Sequence, residues 1–337
     1  MSAPERTRPR AQALMHLGLL ATLLLATVAI AASRSSAVLA QSATPSAATP
    51  NAASADCAPP VLVPAPNLPE SVANAGTGTP VAGIAVDRAT ADQISALVDS
   101  LGACLTAGNA QAVAELVTDR YLGDAYGAGQ RMTREDYLAL APSAPIVPVT
   151  VVSVDQIDFT SKDTVTARVV TIQGNQLRTE DWTFLFQRSR TVSATPAAGT
   201  GDGHWLVHQV AVLDSAAPQG SVQIKAVQSD YAVKLTPSEV KGSDVVVSVQ
   251  NTGKETHEFL ALKLDAGASL DQLIRPTSDT FPANIQVIGQ ETVAPGETRT
   301  LVLVDLAPGA YTVVCLLPDA DGVPHLALGE TATFTVS

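Results

Sequence analysis

Four side chains that can bind a transition metal lie in two segments of the C-terminal part of the chain. The stretch VVCLLPDADGVPHLALGE, residues 313–330, contains Cys315, His325 and Glu330, and His257 follows the turn-like segment NTGKET. Thiolates, neutral imidazoles and carboxylates are common metal ligands. Cys315 is predicted to end a strand, His325 to follow in the loop and His257 to begin a strand, so these three side chains can meet at one end of a β-sandwich.

Two imidazoles and one thiolate form a donor set that suits copper. Cu(I) favours soft sulfur and Cu(II) accepts nitrogen, so such a site exchanges one electron with little rearrangement. Zinc is a second interpretation, since a cysteine, two histidines and a carboxylate also make a tetrahedral set. A third interpretation needs no metal, because a free cysteine is often a small buried apolar residue.

Residues 216–337 are predicted to form an all-β Greek-key sandwich. Glycine and proline at APGE and APGA mark turns between short segments of strand-like composition. So many short strands in one stretch favour two packed sheets. The predicted strands are SVQIKAVQ, YAVKLTP, DVVVSVQN, HEFLALKL, IQVIGQETV, TRTLVLVDL, AYTVVCLLP and ETATFTVS.

This half of the chain resembles the cupredoxins, the blue (type 1) copper proteins. The resemblance rests on NTGKETHEF and on PGAYTVVCLLPDADGVPHLALG ahead of a terminal FTV strand, and it covers about residues 221–337. It implies that His257, Cys315 and His325 are the equatorial ligands of one copper ion. The axial methionine of the family would fall at Glu330, which departs from the family pattern. A bound carboxylate there implies a preference for Cu(II) and a lower reduction potential, whereas a solvent-facing one leaves the axial position empty or filled by a carbonyl.

The resemblance implies an electron carrier rather than an enzyme, with a redox partner that the sequence does not identify. The alternative is a metal-free module that mediates adhesion or assembly at the cell surface and retains a degenerate cupredoxin site.

Residues 85–215 are predicted to form an α+β domain, because helical periodicity precedes strand alternation. The predicted helices are TADQISALVDSLGACLTAGN with Thr90 as N-cap, AQAVAELVTDRYL, and TREDYLALA with Thr133 and Asp136 as a capping box. The predicted strands are VTVVSVDQIDF, TVTARVVTIQ, QLRTEDWTFLFQR and HWLVHQVAVL, with GN at 174–175 as a hairpin turn.

The order and length of these elements, the GN turn after the first helix and the final W.V..V strand resemble the fold shared by nuclear transport factor two, ketosteroid isomerase and the SnoaL-like proteins. The resemblance implies a cone-shaped domain, with helices packed on a curved antiparallel sheet around an apolar pocket. Candidate lining residues are Tyr126, Tyr137, Asp158, Trp182 and His208. The aspartate base and oxyanion hole of the isomerase have no assignable counterparts, so an accessory role in binding a ligand or partner is expected. An enzyme that acts on a small apolar substrate in this domain is the alternative.

Residues 1–40 are predicted to be a secretory signal peptide. Arg6, Arg8 and Arg10 precede the apolar run LGLLATLLLATVAIAA, and AIA and VLA are small-residue cleavage patterns. An uncleaved membrane anchor is the alternative, because the run is close to the length that spans a bilayer. Residues 41–84 are predicted to be a flexible tether rich in Ala, Pro, Ser and Thr. The protein is therefore expected outside the cell or at its surface, with membrane contact only through an uncleaved anchor.

The three cysteines of the chain are an odd number for an exported protein. A disulfide between Cys57 and Cys104 would attach the segment CAPPVLVPAP to the first helix. A disordered tether with a free Cys57 is the alternative.

The charge balance argues against one class of partner. The chain has a formal net charge of −12, with 20 Lys and Arg against 32 Asp and Glu. Binding nucleic acid requires clustered Lys and Arg, and the sequence has no such cluster, so nucleic acid is not an expected partner.

Overall fold

Strands outnumber helices in the computed structural model, which describes residues 57–74, 83–127, 130–189 and 203–337. The predicted signal peptide, residues 1–40, and part of the predicted tether lie outside these ranges. Within them, no helix is long and apolar enough to cross a membrane.

The elements are numbered here in chain order over the described residues. The helices are α1 (Glu70–Ala73), α2 (Arg88–Thr106), α3 (Ala110–Leu116), α4 (Asp119–Tyr126), α5 (Arg134–Leu140) and α6 (Asp271–Ile274). The strands are β1 (Ile84–Ala85), β2 (Val149–Ser161), β3 (Thr164–Gln173), β4 (Gln176–Arg188), β5 (Gly203–Leu213), β6 (Val222–Ser229), β7 (Ala232–Thr236), β8 (Glu239–Val240), β9 (Val245–Asn251), β10 (His257–Leu264), β11 (Ile285–Val293), β12 (Thr298–Leu303), β13 (Gly309–Val314) and β14 (Thr331–Val336).

Side-chain caps determine where helices begin in the first half of the described chain, residues 57–213. The carboxylate of Asp87 accepts a hydrogen bond from the backbone N–H of Thr90 at 2.8 Å and caps α2. The prediction that Thr90 is the N-cap is therefore wrong, because Thr90 is the third residue of the helix and donates the N–H that the cap satisfies. Thr133 and Asp136 form the predicted capping box at the start of α5.

The segment AQAVAELVTDRYL forms two helices instead of the one predicted. Helix α3 ends at Leu116, and Val117 is extended and forms a parallel bridge with Val207 of β5. The hydroxyl of Thr118 then accepts a hydrogen bond from the N–H of Tyr121 and caps α4. A tertiary strand contact therefore overrides the local helical periodicity.

Helices α2–α5 pack on an antiparallel sheet formed by β1–β5. Ile94 and Leu101 of α2 share a fully buried cluster with Phe159 of β2, Phe184 of β4 and Val207 of β5. The apolar residues of α2, which recur at helical spacing, thus face the inward-pointing residues of the strands.

Residues 57–74 pack against this first half, in contrast to the flexible tether predicted for residues 41–84. Cys57 forms a disulfide with Cys104 of α2. Val63 exchanges two backbone hydrogen bonds with Gly203 at the start of β5, at 2.8 and 3.0 Å. Val72 of α1 is fully buried. The composition of this segment is that of a linker, but a covalent bond and a strand bridge hold it on the helices and the sheet.

The second half, residues 222–337, is a sandwich of two sheets. The strand orders are β12-β9-β6-β7 and β11-β10-β13-β14-β8. All eight predicted strands form, and β8 and α6 were not predicted. Two strand pairs are parallel, β6 with β9 and β8 with β14. Parallel neighbours need a crossover connection, and here β7 and β8 provide it, since β8 pairs in the opposite sheet before the chain returns to β9 beside β6.

Both faces of β10 are buried, which explains why the segment HEFLALKL shows no alternation. Phe259 and Ala261 face the core between the two sheets. Leu260 and Leu262 lie in a second cluster on the opposite face, together with Leu273 of α6. Strand β10, which begins at His257, is therefore packed on both faces.

The larger sheet continues from the first half into the second at one residue pair. Gln176 of β4 pairs with Leu303 of β12. Asn175, in the turn between β3 and β4, donates through its side-chain amide to the carbonyl of Val304 and through its backbone N–H to the carbonyl of Ile288, both at 2.8 Å. The GN turn, predicted only as a hairpin turn, thus also joins the two halves.

Substituting Asn175→Ala is expected to lower the free energy of unfolding by about 1–2 kcal/mol, because the carbonyl of Val304 loses its side-chain donor. Urea unfolding measures this change. Asn67→Ala is the control, since Asn67 donates an exposed hydrogen bond to Asp87 within the first half, and it is expected to stay within about 0.5 kcal/mol of the wild type. Equal stability of the two variants would show that the Asn175 side chain does not stabilise the junction.

Candidate metal centre

Three adjacent strands bring the four predicted ligands to one end of the sandwich. Strands β10, β13 and β14 are neighbours in the five-stranded sheet. His257 is the first residue of β10, Cys315 follows the last residue of β13, and Glu330 precedes β14. Because β13 is antiparallel to both neighbours, its C-terminal end lies beside the starts of β10 and β14.

Backbone hydrogen bonds close the loop that carries His325. The N–H of His325 donates to the carbonyl of Leu317 at 2.9 Å, and that of Leu326 donates to the carbonyl of Cys315 at 2.8 Å. The N–H of Glu330 donates to the carbonyl of His325 at 3.0 Å. The imidazole is therefore placed by the same short segment that places the thiol and the carboxylate.

The ligand atoms converge on one point. Nδ1 of His257 lies 2.8 Å from Oε2 of Glu330, and Nδ1 of His325 lies 3.2 Å from the same oxygen. The two Nδ1 atoms are 3.2 Å apart, and Sγ of Cys315 is 3.4 Å from Nδ1 of His325. One ligand atom from each of the four buried residues lies within 4.8 Å of every other. This group is placed to bind a metal ion.

The surroundings of Cys315 disfavour a free thiolate. Burial raises the pKa of the thiol far above its usual range, and the carboxylates of Glu330 and Glu258 raise it further. The backbone N–H of Glu258 donates to Sγ at 3.2 Å and opposes part of this effect. A cation among the ligands reverses the balance, because a coordinated thiol gives up its proton.

Glu330 points into the cluster and is fully buried. Its Oε1 accepts a hydrogen bond from the side-chain amide of Gln228 at 3.0 Å. The same amide donates to the backbone carbonyl of Glu258 at 3.0 Å, so Gln228 is itself held in place. The other oxygen, Oε2, is thereby presented to the two imidazoles.

In both imidazoles, Nε2 faces a carboxylate. Nε2 of His325 lies 3.0 Å from Oε2 of Glu255, and Nε2 of His257 lies 3.9 Å from Oδ1 of Asp230. The ring of Tyr231 stands edge-on to that of His325, with centroids 5.3 Å apart. A histidine that binds metal through one ring nitrogen commonly donates the proton of the other to a carboxylate. The residues present therefore fit a metal ion bound from the Nδ1 side.

The sequence interpretation did not identify the residues that surround the ligands. Glu258 carried a local signal, because a carboxylate is unexpected in an apolar strand unless it has partners. Gln228 carried no such signal, since 102 residues separate it from Glu330. Asp230 and Glu255 lie in turns, where acidic residues are common for local reasons.

Of the pocket residues predicted in the first half, three lie in its core and two are half-buried on strands. Tyr126 and Tyr137 are buried with ring centroids 4.8 Å apart, and Trp182 is buried in the same core. Asp158 is half-buried on β2. His208 is half-buried on β5, and its Nδ1 lies 3.1 Å from a threonine hydroxyl.

A pH-dependent stability is expected from Glu258. Burial, and to a smaller extent the carboxylate of Glu330, raises the pKa of Glu258 from 4.5 to about 7, although a hydrogen bond from the N–H of Leu316 opposes the shift. Because the folded state binds this proton more tightly than the unfolded state, the contribution to stability is complete below about pH 4.5 and is lost as the pH rises through about 7.

Glu258→Gln is therefore expected to be more stable than the wild type at about pH 8 and to show a flatter dependence of unfolding free energy between about pH 5 and pH 8. Urea unfolding of the metal-free proteins at both pH values measures it, with Glu239→Gln, at an exposed position of β8, as the control. Parallel pH profiles for wild type and Glu258→Gln would contradict the expectation.

Comparisons with known proteins give matches to solved structures. No protein-family model and no curated protein matches the chain. A reduced auracyanin from the photosynthetic bacterium Roseiflexus castenholzii is 20% identical, covering 35% of this chain and 98% of that chain, with a TM-score of 0.26. Auracyanin A, a blue copper protein from the green thermophilic photosynthetic bacterium Chloroflexus aurantiacus, is 18% identical, covering 35% of this chain and 100% of that chain, with a TM-score of 0.26.

The matches also include enzymes. A multi-copper oxidase from Pediococcus acidilactici is 16% identical, covering 37% of this chain and 28% of that chain, with a TM-score of 0.24. Likenesses at this level do not assign the chain to a family. The resemblance of residues 85–215 to the SnoaL-like proteins stays a prediction.

Proposed function

We propose that this protein is an exported copper protein that carries single electrons, with His257, Cys315, His325 and Glu330 as the copper ligands. The observation that carries the proposal is the convergence of these four donors within 4.8 Å of one another in a buried position. Export is proposed from the apolar N-terminal run and agrees with the disulfide between Cys57 and Cys104, which persists in oxidising compartments.

The need for a cation follows from the cost of burying these groups together. A buried carboxylate and a buried thiol both lose hydration, and the carboxylate disfavours ionisation of the thiol. Gln228 offers one hydrogen bond to Glu330, and the backbone of Glu258 offers one to Cys315. A metal ion compensates both negative charges at once.

Copper is favoured over zinc by the presence of one thiol and two imidazoles from rigid elements. Copper bound there supplies a one-electron couple, since its two oxidation states accept the same sulfur and nitrogen donors. The chain contributes the positions of the donors. His257 begins β10, which is packed on both of its faces, and His325 lies in a hydrogen-bonded loop. The donors therefore need to move little when the charge of the site changes.

Glu330 distinguishes this donor set from one whose fourth member is neutral. With the thiolate, its carboxylate supplies two negative charges to a buried site, which balance Cu(II) but leave Cu(I) with an excess of one negative charge. Burial makes such an excess costly. The proposed consequence is a low reduction potential for this class of donor set.

The first half is proposed to have an accessory role in docking or ligand binding rather than in catalysis. Of its candidate pocket residues, Tyr126 and Tyr137 are in ring contact in the core, and His208 of β5 lies beside the hydroxyl of Thr118, the N-cap of α4. Over the described residues, the group around Cys315 is the one set of three or more His, Cys, Asp and Glu side chains arranged as metal ligands. One such centre supports a carrier more directly than an oxidase with several coppers.

Titration of the purified chain with Cu(II) is expected to produce an intense visible absorption from sulfur-to-copper charge transfer that saturates at one ion per chain. The band arises from the Cys315 thiolate, so it is expected to be absent in Cys315→Ser, which keeps the size of the side chain. Absorption spectroscopy and equilibrium dialysis together give the intensity and the stoichiometry. A colourless wild type with no copper uptake would support the metal-free module instead, and uptake of zinc with exclusion of copper would support the zinc interpretation.

Glu330→Met is expected to raise the reduction potential by about 60 mV or more, which corresponds to a tenfold change for a one-electron couple. The physical reason is removal of a buried negative charge that favours Cu(II). Redox titration monitored by the charge-transfer band measures the potential. Glu297→Gln, which removes an exposed charge paired with Arg299, serves as the control, and a potential unchanged in Glu330→Met would show that this carboxylate does not act on the metal.

A further inference from the structure

We infer that Glu255 is a positioning residue for His325: its carboxylate accepts the Nε2 proton of that imidazole and so directs the lone pair of Nδ1 into the ligand cluster. This inference deepens the proposed function and rests on it for the effect on metal binding. The tautomer itself is a property of the metal-free chain.

The two groups face each other in a buried position. Nε2 of His325 and Oε2 of Glu255 are 3.0 Å apart, and the imidazole is 1% exposed. Their present angle falls outside hydrogen-bond geometry, and neither atom has another hydrogen-bond partner among the described residues. The Glu255 side chain is 37% exposed, so a small rotation of its carboxylate aligns the pair without disturbing the core.

The tautomer follows from the placement of one proton. A neutral imidazole carries a single N–H. A proton on Nδ1 would face Oε2 of Glu330 at 3.2 Å, an oxygen that Nδ1 of His257 already approaches at 2.8 Å. It would also leave the lone pair of Nε2 directed at Oε2 of Glu255, 3.0 Å away, which has no other donor among the described residues. A proton on Nε2 gives a charge-assisted hydrogen bond to Glu255 and leaves Nδ1 free to accept from the thiol of Cys315, whose Sγ lies 3.4 Å away.

The loop that carries Glu255 is anchored on both sides. The side-chain amide of Asn251 donates to the carbonyl of Glu255 and to that of Val293, both at 2.8 Å. The N–H of Lys254 donates to Oδ1 of Asp230 at 2.8 Å. These bonds fix the backbone next to Glu255, so its carboxylate approaches His325 from a defined direction.

A close backbone approach at Gly253 brings this loop against the other imidazole. A Cβ at Gly253 would lie 2.5 Å from Oδ1 of Asp230 and 2.9 Å from Nε2 of His257. Asp230 itself is 3.9 Å from that nitrogen, beyond a direct hydrogen bond. Of the two carboxylates that face an Nε2 atom, Glu255 therefore has the closer contact, and that contact is with His325.

The first test needs no metal. Long-range proton–nitrogen NMR correlation of the metal-free chain, labelled with ¹⁵N, reports which ring nitrogen of His325 carries the proton. The expected result is the Nε2–H tautomer in the wild type and a mixture of both tautomers in Glu255→Ala, which has no acceptor. Glu255→Gln is expected to restore the Nε2–H tautomer in part, because an amide oxygen also accepts. An Nδ1–H tautomer in the wild type, or identical tautomer ratios in wild type and Glu255→Ala, overturns the inference.

The second test measures affinity for Cu(II) by competition with a chelator. Glu255→Ala is expected to lose about 10- to 100-fold in affinity, the usual effect of removing such a partner of a histidine ligand, with partial recovery in Glu255→Gln. Glu297→Ala is the matched charge control, since the carbonyl of Glu297 accepts from Asn251 of the same region while its side chain pairs with Arg299, and it is expected to keep the wild-type affinity.

The two tests distinguish a failure of the proposed copper function from a failure of the inference on Glu255. A wild-type chain that binds no copper contradicts the proposed function, and the NMR result then still decides the role of Glu255. A chain that binds copper through Cys315 with equal affinity in wild type and Glu255→Ala supports the proposed function and overturns this inference.

Discussion

Four electron-pair donors share one buried point in this protein, and the order of three strands makes that possible. β13 lies between β10 and β14 and runs antiparallel to both. The end of one strand is thus placed beside the starts of two others, where Cys315 meets His257 and Glu330. The arrangement is costly without a cation, because burial and neighbouring carboxylates raise the pKa of the thiol. The packing of the sandwich supplies the free energy that holds these donors together.

A layer of polar contacts around the donors determines which atoms they present. Gln228 turns one oxygen of Glu330 away from the cluster and leaves the other facing it. The backbone N–H of Glu258 donates to Sγ of Cys315 and opposes part of the rise in the pKa of the thiol. On the outer side, Tyr231 and Glu255 cover the ring of His325. The imidazole is consequently buried.

The two halves of the chain are joined by few contacts of high specificity. Asn175 and Gln176 connect the turn and strand of the first half to the edge strand of the sandwich. On the far side of the first half, the disulfide between Cys57 and Cys104 holds a linker-like segment against α2. With the other two cysteines paired, Cys315 is the thiol left for the cluster.

Much of the local structure and the residue types of the candidate ligands could be read from the sequence. Strand alternation and turn residues predicted the eight main strands of the sandwich, and the types and order of His257, Cys315 and His325 predicted a metal site. Helix caps and helix ends were harder to predict from the sequence. Thr90 was predicted to be an N-cap, but Asp87 has that role, and Val117 lies in a helical pattern but forms a bridge with β5. Each of these outcomes depends on a contact with a residue that the local pattern does not contain.

By itself, the sequence determined the secondary structure of most segments, because that depends on residue types at short spacing, and the chemistry available to the site, because that depends on which donor residues are present. Tertiary structure alone decided that Glu330 faces the cluster, that Gln228 and Glu258 hold its orientation, and that Glu255 meets His325. Gln228 and Glu330 are 102 residues apart. Their contact follows from which strands become neighbours, and that is set by the packing of the whole sandwich rather than by any short stretch of the chain.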